Sequence, residues 1–183
     1  MAFLENEQVM KLGFKKLGQN VLISDKASIY GADKICIGDN CRIDDFAILS
    51  AGKGGIEIGK FVHISPFASI TGKEKITMED FSGISSRVCV FSSSGNFDGE
   101  LLNNPTIASE TIPMICGEVY FEKYALVGAG SVVLPNVRLG EGCVVGALSL
   151  VKSNLEPFKI YAGSPAKFIK ERVVDVVMLK EMA

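Results

Sequence analysis

The chain has 183 residues, of which 48% are hydrophobic and 22% are charged, and its formal net charge is −2. This length fits one domain, residues 1–183, that buries a core without disulfides or structural metal. A charge near zero argues against a protein that coats nucleic acid or an anionic membrane, so an anionic ligand would need a local basic cluster.

The cysteine and histidine content limits the chemistry further. The five cysteines (Cys36, Cys41, Cys89, Cys116 and Cys143) are odd in number, no CxxC pair occurs, and His63 is the single histidine. This pattern argues against a disulfide framework and against a zinc site, so no metal is expected. The N-terminus has no continuous apolar segment, and no stretch elsewhere approaches the length of a membrane span. We therefore expect a cytoplasmic protein without membrane insertion.

The first predicted element is a short amphipathic helix over residues 3–17, within an N-terminal cap that covers residues 1–20. Its apolar residues are Leu4, Val9, Leu12 and Phe14. They are spaced to cover the open end of whatever structure follows, which would otherwise expose unpaired strand edges.

A six-residue apolar repeat governs most of the remaining chain. The repeat positions are Ile37, Ile43, Leu49, Ile58, Ile64, Ile70, Met78, Ile84, Val90, Phe121, Val127, Val133, Leu139, Val145 and Val151. Small or compact residues follow many of them by four positions, namely Cys41, Ala47, Val62, Ala68, Ser82, Val88, Ala125, Ser131, Val137, Cys143 and Ser149. Lys53, Glu74 and Ser94 break this rule at third corners.

A unit of six residues is long enough for one short strand and one corner, and three units make a coil of a parallel β-helix. The aliphatic residue points into the interior, and the small residue allows the chain to bend. The repeat predicts a β-helix over residues 21–155, with a loop inserted at about 91–118. Long loops on rigid scaffolds are usually functional.

The chain after the repeat, residues 156–183, is predicted to be a tail and a second short helix. The helix would cover residues 165–182 and begin at Pro165, with apolar residues Ile169, Val173, Val176, Val177 and Met182 on one side. Such a helix would pack on a neighbouring surface.

The repeat units IGDNCR, IGKFVH, ISPFAS, VGAGSV, LGEGCV and VGALSL resemble those of the hexapeptide-repeat acyltransferases. The resemblance covers roughly residues 21–172. It implies an all-β fold, a left-handed parallel β-helix that assembles as a homotrimer with active sites between subunits. The left hand comes from the resemblance alone, because the general rule for parallel crossovers predicts the opposite hand.

Two pairs of small residues suggest a binding groove. Gly128-Ala129 and Gly146-Ala147 are eighteen residues apart, or one coil, so they should stack on one face. Small residues there leave reachable backbone groups for an extended amide chain such as pantetheine. Alternatively, these glycines and alanines only turn corners.

A basic segment follows the last coil and contains Lys152, Lys167, Lys170 and Arg172. Lysine and arginine can neutralise phosphates, although they would equally suit a solvated helix face. The ending YAGSPAKFIKER resembles that of family members that use acetyl-CoA. The resemblance implies acetyl-CoA as the donor, held by Gly128, Ala129, Gly146, Ala147 and these basic residues.

His63 is the candidate catalytic base. It precedes the inward Ile64, so strand alternation turns it outward, and an imidazole can accept a proton near neutral pH. The segment GKFVHISPFASI resembles family members that modify cell-surface sugars and carry a histidine here. An outward histidine can also be merely solvated.

Two features depart from the family pattern. Many sugar O-acetyltransferases of the family carry a catalytic histidine in a TGHP stretch at the root of the long loop, where this chain has FSSSGNFDGE. Asp98 there is a candidate base, and Asn96 and Tyr124 are candidate substrate contacts. Tyr124 stands where related sequences often have a second histidine, which puts a mechanism with two imidazoles in doubt.

The sequence thus predicts an acetyl-CoA-dependent acetyltransferase acting on a hydroxyl, or less favourably an amine, of a sugar or nucleotide-linked sugar. Its product would enter a surface polysaccharide such as lipopolysaccharide or capsule. The alternative is a non-catalytic β-helical trimer that serves as a binding or assembly module. A γ-type carbonic anhydrase is excluded, because its zinc needs three histidine ligands. An acyl-ACP-dependent transferase would need a deep apolar slot, and nothing in the repeat shows one.

Overall fold

A computed structural model gives the fold of residues 2–96 and 114–173, and the protein is a parallel β-solenoid. All fifteen repeat positions are buried, and so are all eleven small corner residues. The interior is therefore one core of stacked apolar side chains contributed by all three faces, as the repeat predicted. Burial of this apolar surface stabilises a scaffold whose strands are only two to four residues long for most of its length.

The elements follow the chain in regular order. The single α-helix of the described residues is α1 (Asn6–Lys11), and a 3₁₀ turn covers Ala32–Lys34. The strands are β1 (Lys16–Leu17), β2 (Leu22–Ile23), β3 (Ser28–Tyr30), β4 (Ile35–Ile37), β5 (Arg42–Ile43), β6 (Ile48–Ala51), β7 (Ile56–Ile58), β8 (His63–Ile64), β9 (Ser69–Gly72), β10 (Ile76–Met78), β11 (Gly83–Ile84), β12 (Cys89–Phe91), β13 (Ser93–Gly95), β14 (Met114–Cys116), β15 (Val119–Phe121), β16 (Leu126–Val127), β17 (Val132–Val133), β18 (Val137–Leu139), β19 (Val144–Val145), β20 (Leu150–Val151), β21 (Lys159–Ala162) and β22 (Lys167–Glu171).

Three sheets form the faces of a triangular prism. The charged face consists of β1, β4, β7, β10, β15 and β18; the groove face of β2, β5, β8, β11, β16, β19, β21 and β22; and the third face of β3, β6, β9, β12, β17 and β20. Corner 1 joins the charged face to the groove face, corner 2 joins the groove face to the third face, and corner 3 closes the coil. Corner 3 is therefore opposite the groove face.

The corners carry ladders of residues in the left-handed backbone region, where side chains other than glycine are uncommon. On corner 1 these include Asn40, Phe61, Phe81 and Tyr124, and on corner 2 they are Phe46, Phe67, Arg87 and Leu148. Each corner repeats one backbone hydrogen bond to the coil before it, as from Phe81 N to the Lys60 carbonyl. Rings one coil apart therefore stack, and the Phe61 and Phe81 centroids are 4.8 Å apart.

The N-terminal cap forms as predicted but is shorter. Helix α1 ends before Gly13, which has a positive φ, and β1 already pairs with β4 as part of the solenoid. Val9 is buried, and Leu4, Leu12 and Phe14 pack against the core. The helix thus covers the first coil, which was its expected role.

The predicted insertion leaves the solenoid at corner 3. Strands β13 and β14 pair antiparallel at its base, with Ser93 opposite Cys116. The chain re-enters the charged face at Val119, which bonds to the Lys75 carbonyl. The inserted loop therefore begins on the side of the prism away from the groove face.

The C-terminal helix prediction is wrong for its described part. Residues 167–171 form β22, which pairs antiparallel with β21 at the end of the groove face. The added strand provides partners for backbone groups of β21 that would otherwise be an open sheet edge. Val173 is 98% exposed, so it does not pack as predicted, and Val176, Val177 and Met182 lie outside the described residues. Within residues 2–96 and 114–173, no helix is long and apolar enough to span a bilayer.

Candidate active site

The outward side chains of the groove face form one straight column. In register, the column consists of Arg42, His63, Gly83, Leu126, Val144, Ile160 and Lys170. His63 points outward as predicted, with about half of its side chain exposed (51%). The column thus places the single histidine and a lysine of β22 on the same line of the groove face.

A groove of about 410 Å³ opens beside the middle of this column. His63, Ser65, Ser85 and Gly128 contribute polar atoms or backbone to its lining. Its apolar wall consists of Phe61, Phe81, Ile84, Leu126, Val127, Val144 and Val145. Two sequence predictions, His63 and Gly128, therefore lie in the same concavity.

His63 is held by a buried carboxylate. Its Nε2 is 2.7 Å from Asp44 Oδ2, and the Asp44 side chain is only 3% exposed. Arg42 Nε donates to the other oxygen of Asp44 at 2.7 Å. Because the carboxylate can only accept, Nε2 carries the hydrogen, and Nδ1 of a neutral His63 is left with its lone pair. The arrangement fixes the ring and leaves one basic nitrogen.

The predicted stack of small residues exists at the corner 2 edge of the groove face. Gly128 N bonds to the Val145 carbonyl at 2.8 Å, and a Cβ on Gly128 would lie 2.6 Å from Ala147 N. One coil further, a Cβ on Gly146 would lie 3.0 Å from the Ala162 Cβ. At Gly128 only glycine allows this close approach, and Ala129 and Ala147 are exposed on the same corner. The surface is a shallow trough with backbone near solvent.

Strand β22 brings two predicted lysines to the end of this trough. Lys167 pairs with Ala162, so it continues the stack of Gly128 and Gly146, and Lys170 ends the His63 column. Both are exposed, and neither has an ion-pair partner among the described residues. A cationic end to the trough is thus available to an anion.

Arg172 is placed differently from the two lysines. Its Nη1 donates to the carbonyls of Gly142 at 2.7 Å and Tyr124 at 3.2 Å. Burial lowers the pKa of its guanidinium below the usual value. The contacts tie the end of β22 to corner 1, a structural role that the sequence did not indicate.

The remaining candidates among the described residues do not line the groove of their own chain. Two of them lie at a distance from it, and Tyr124 lies beside it. Lys152 follows β20 and lies at corner 3. Asn96 follows β13 at the base of the insertion. Tyr124 is buried on corner 1, where its ring stacks on Phe81 at 5.3 Å. Asp98 lies outside the described residues.

Sequence reasoning missed four residues of the site: Asp44, Gly83, Ser65 and Ser85. Asp44 and His63 lie nineteen positions apart, close to one coil, so the coil spacing could have paired them. Gly83 could have been found in the same way, because it stands in register with His63.

A parallel β-helix of hexapeptide repeats with a lateral trough is the architecture of the hexapeptide-repeat acyltransferases. A comparison with models of protein families found no match. The dTDP-4-amino-4,6-dideoxy-D-glucose acyltransferase of Escherichia coli is 47% identical over 182 residues, covering 100% of this chain and 95% of the relative.

Two crystal structures of AntD, an N-acyltransferase from Bacillus cereus, are also similar. A serine-to-alanine variant in complex with dTDP-4-amino-4,6-dideoxyglucose and coenzyme A has a TM-score of 0.94 at 42% identity, covering 99% of this chain and 96% of AntD. A complex with dTDP and 3-hydroxybutyryl-CoA has a TM-score of 0.91 at 42% identity, covering 98% and 95%.

The chain therefore belongs to the hexapeptide-repeat family of sugar acyltransferases. The left-handed β-helix fold is confirmed, and the chain is an enzyme rather than the non-catalytic module considered from the sequence.

Proposed function

We propose that the chain transfers an acyl group, in the first instance acetyl, from a coenzyme A thioester to the 4-amino group of dTDP-4-amino-4,6-dideoxyglucose. The observation that carries this proposal is the alignment of His63, the groove, the Gly128–Gly146 trough and Lys167 along one edge of the groove face. The relatives support it, because both act on or bind this amino sugar.

The length of the trough matches the donor. Lys167 and Ser85 are four strand spacings apart, which is about 19 Å at about 4.8 Å per strand. The pantetheine arm has about thirteen bonds between phosphorus and sulfur, and an extended chain with that number of bonds spans roughly 15 Å. The flexible Lys167 side chain covers the difference. With the phosphates at Lys167 and Lys170, the thioester lies level with Gly83 and Ser85.

In the proposed reaction, the amine nitrogen attacks the thioester carbonyl, the new C–N bond forms and the C–S bond breaks. The nitrogen loses a proton, and the departing thiolate finally takes one up. Nδ1 of His63 is placed to accept the proton that the nitrogen loses, since Asp44 occupies Nε2. Asp98 and Asn96 are proposed to approach the acceptor from the inserted loop, and Tyr124 supports the aromatic ladder beside it.

A hydroxyl acceptor is the second candidate. The pairing of His63 with a buried carboxylate favours it, because a histidine oriented in this way is typical of sites that deprotonate a hydroxyl. An amine needs such help less, since part of it is unprotonated near neutral pH. The rate of transfer should therefore depend on His63 more strongly for a hydroxyl acceptor than for an amine acceptor.

We propose a homotrimer with corner 2 nearest the three-fold axis. Phe46, Phe67 and Leu148 are 48%, 49% and 79% exposed on this corner, and apolar surface of this kind marks interfaces. The outward positions of the charged face, by contrast, include Lys16, Glu57 and Arg138. In such a trimer the groove face of one subunit faces the third face of the next, and corner 3 at the outer edge of that third face carries the inserted loop and Lys152.

We place the enzyme in the cytoplasm, where the donor and the nucleotide sugar would both be available. All five cysteines are free thiols, which suits a reducing compartment. The acylated sugar would then be transferred to a surface polysaccharide such as lipopolysaccharide.

The test is a transfer assay with purified protein, acetyl-CoA and dTDP-4-amino-4,6-dideoxyglucose. We expect release of free coenzyme A thiol together with a nucleotide sugar heavier by one acetyl group. The matched control acceptor is dTDP-6-deoxyglucose, which has a hydroxyl in place of the amine. Thiol release with the control acceptor alone would show that the enzyme acetylates a hydroxyl instead of the amine. Thiol release with neither acceptor would refute this substrate class.

A further inference from the structure

Gly83 is a glycine that the fold itself does not require. Its φ is not in the left-handed region, and a Cβ built on it would meet only the His63 carbonyl oxygen and Leu126 Cδ2, both at 3.5 Å. These are ordinary van der Waals distances. At Gly128, in contrast, the nearest atom would be 2.6 Å away. A side chain at position 83 would therefore fit the scaffold.

A glycine inside a strand weakens the strand, because it adds backbone entropy to the unfolded chain and packs nothing. Gly83 is also outward, in register between His63 and Leu126, so its missing side chain leaves a gap in the column. A strand glycine without a steric reason within its own chain indicates that another molecule approaches the backbone closely there.

The chemistry around the gap identifies its occupant. The gap opens into the groove, whose lining includes the apolar Phe81 and Leu126 and the polar Ser85 and His63. A ligand that combines an apolar chain with a polar carbonyl matches this mixture of apolar and polar lining residues. If the proposed donor path is correct, the thioester lies level with Gly83, and its acyl chain is the group nearest the gap.

We propose that the gap at Gly83 receives the acyl chain of the donor, so that the residue at position 83 sets the longest acyl chain that the enzyme accepts. This inference rests on the proposed function and adds to it a residue that determines which acyl donors the enzyme uses. The enzyme accepts a four-carbon acyl chain. A side chain introduced at position 83 excludes this chain before it excludes the shorter acetyl group.

The experiment compares acetyl-CoA with butyryl-CoA as donors for the wild-type enzyme, Gly83→Ala and Gly83→Val. Thr77→Val is the matched control, because Thr77 occupies the same outward position six residues earlier on the charged face. We expect wild type to use both donors. Gly83→Val should lower kcat/KM for butyryl-CoA by at least about tenfold more than for acetyl-CoA, the scale on which pockets discriminate alkyl groups. Gly83→Ala should cause an intermediate loss of kcat/KM for butyryl-CoA. Thr77→Val should leave the ratio of kcat/KM for the two donors unchanged.

The outcomes separate the two proposals. Absence of acetyl transfer by wild type would count against the proposed function itself. Normal acetyl transfer with no use of butyryl-CoA, or an equal loss for both donors in Gly83→Val, would overturn the inference alone. Sedimentation of Gly83→Val completes the test, since a change of oligomeric state would show that a neighbouring subunit occupies the gap instead.

Discussion

At the scale of single residues, the pairing of His63 with Asp44 makes the clearest prediction. If Nδ1 of His63 is the base, His63→Ala should lower turnover on a hydroxyl acceptor by about 10²-fold or more, the usual scale of general-base catalysis. The loss on the amine acceptor should be much smaller. Steady-state kinetics with the two dTDP-sugars described above would measure both losses.

Two further variants complete this comparison. Asp44→Asn should lower turnover in the same direction, and its pH profile should change because Asp44 acts through the His63 tautomer. Glu57→Gln is the control, since it removes one carboxylate charge at an exposed position on the charged face, away from the groove. Equal losses of His63→Ala on both acceptors would contradict an acceptor-dependent role for this base.

Arg172 is expected to matter for stability more than for binding. Removing its guanidinium leaves the carbonyls of Gly142 and Tyr124 without this donor, and an unsatisfied polar group costs about 1–3 kcal/mol when buried. Arg172→Ala should lower the free energy of unfolding by about that amount in urea titrations. Lys170→Ala is the control, because the Lys170 side chain is exposed and should leave the unfolding midpoint nearly unchanged.

At the scale of elements, corner 1 contains two buried thiols that link stability to pH. Burial raises the pKa of Cys41 to about 11 and that of Cys143 to about 12, from 9.0 for an ordinary thiol. Between pH 9 and these values the unfolded chain loses protons that the folded chain keeps, so stability falls as pH rises. Below pH 9 the two thiols have no such effect.

Urea unfolding at several pH values would test this linkage. A Cys41→Ala, Cys143→Ala double variant should lose less stability than wild type between pH 9 and 11. Cys116→Ala serves as the control, because this thiol is exposed on β14. A decline equally steep in the double variant would assign the pH dependence to other groups.

The C-terminal hairpin of β21 and β22 carries the two lysines that we propose to bind the phosphates of the donor. Lys167→Glu, Lys170→Glu should weaken acetyl-CoA binding by at least about tenfold, since hydrogen bonds to charged groups contribute about 1.5–3 kcal/mol each. Isothermal titration would measure this. Lys11→Glu, Lys15→Glu changes the net charge equally at the opposite end of the prism and should bind as wild type does. Unchanged affinity in the β22 variant would remove the proposed phosphate site.

The elements also show which inferences the sequence supported. The repeat predicted the inward residues correctly, because a solenoid repeats the same local environment in every coil and each position can be recognised by its period. Strand β22 was mistaken for part of a helix, because no repeat constrains residues 156–173. KFIKE forms a strand since the exposed edge of β21 provides backbone partners, a tertiary cause that propensity does not contain.

The site was predictable to a similar extent. The shared location of His63 and Gly128 beside the candidate groove was predictable because they stand at repeat positions whose direction is fixed. Asp44 and Gly83 were missed because their roles arise from neighbours one coil away, and coils of unequal length obscure that register. Lys152 was grouped with Lys167 by proximity in sequence, although corner 3 and β22 are separate parts of the solenoid.

For the whole molecule, the proposed trimer implies that one chain alone is not a complete enzyme. The base of the insertion lies at corner 3, opposite the groove of its own chain, so in the proposed trimer it is nearer to the groove of a neighbour. Phe67→Asp, Leu148→Asp would place buried charges at the proposed axis, and isolated charges are costly to bury. We expect this variant to be a folded monomer without transferase activity, as judged by sedimentation, circular dichroism and the transfer assay. Thr77→Asp on the charged face should remain trimeric and active, and an active monomer of the corner 2 variant would show that each groove works within one chain.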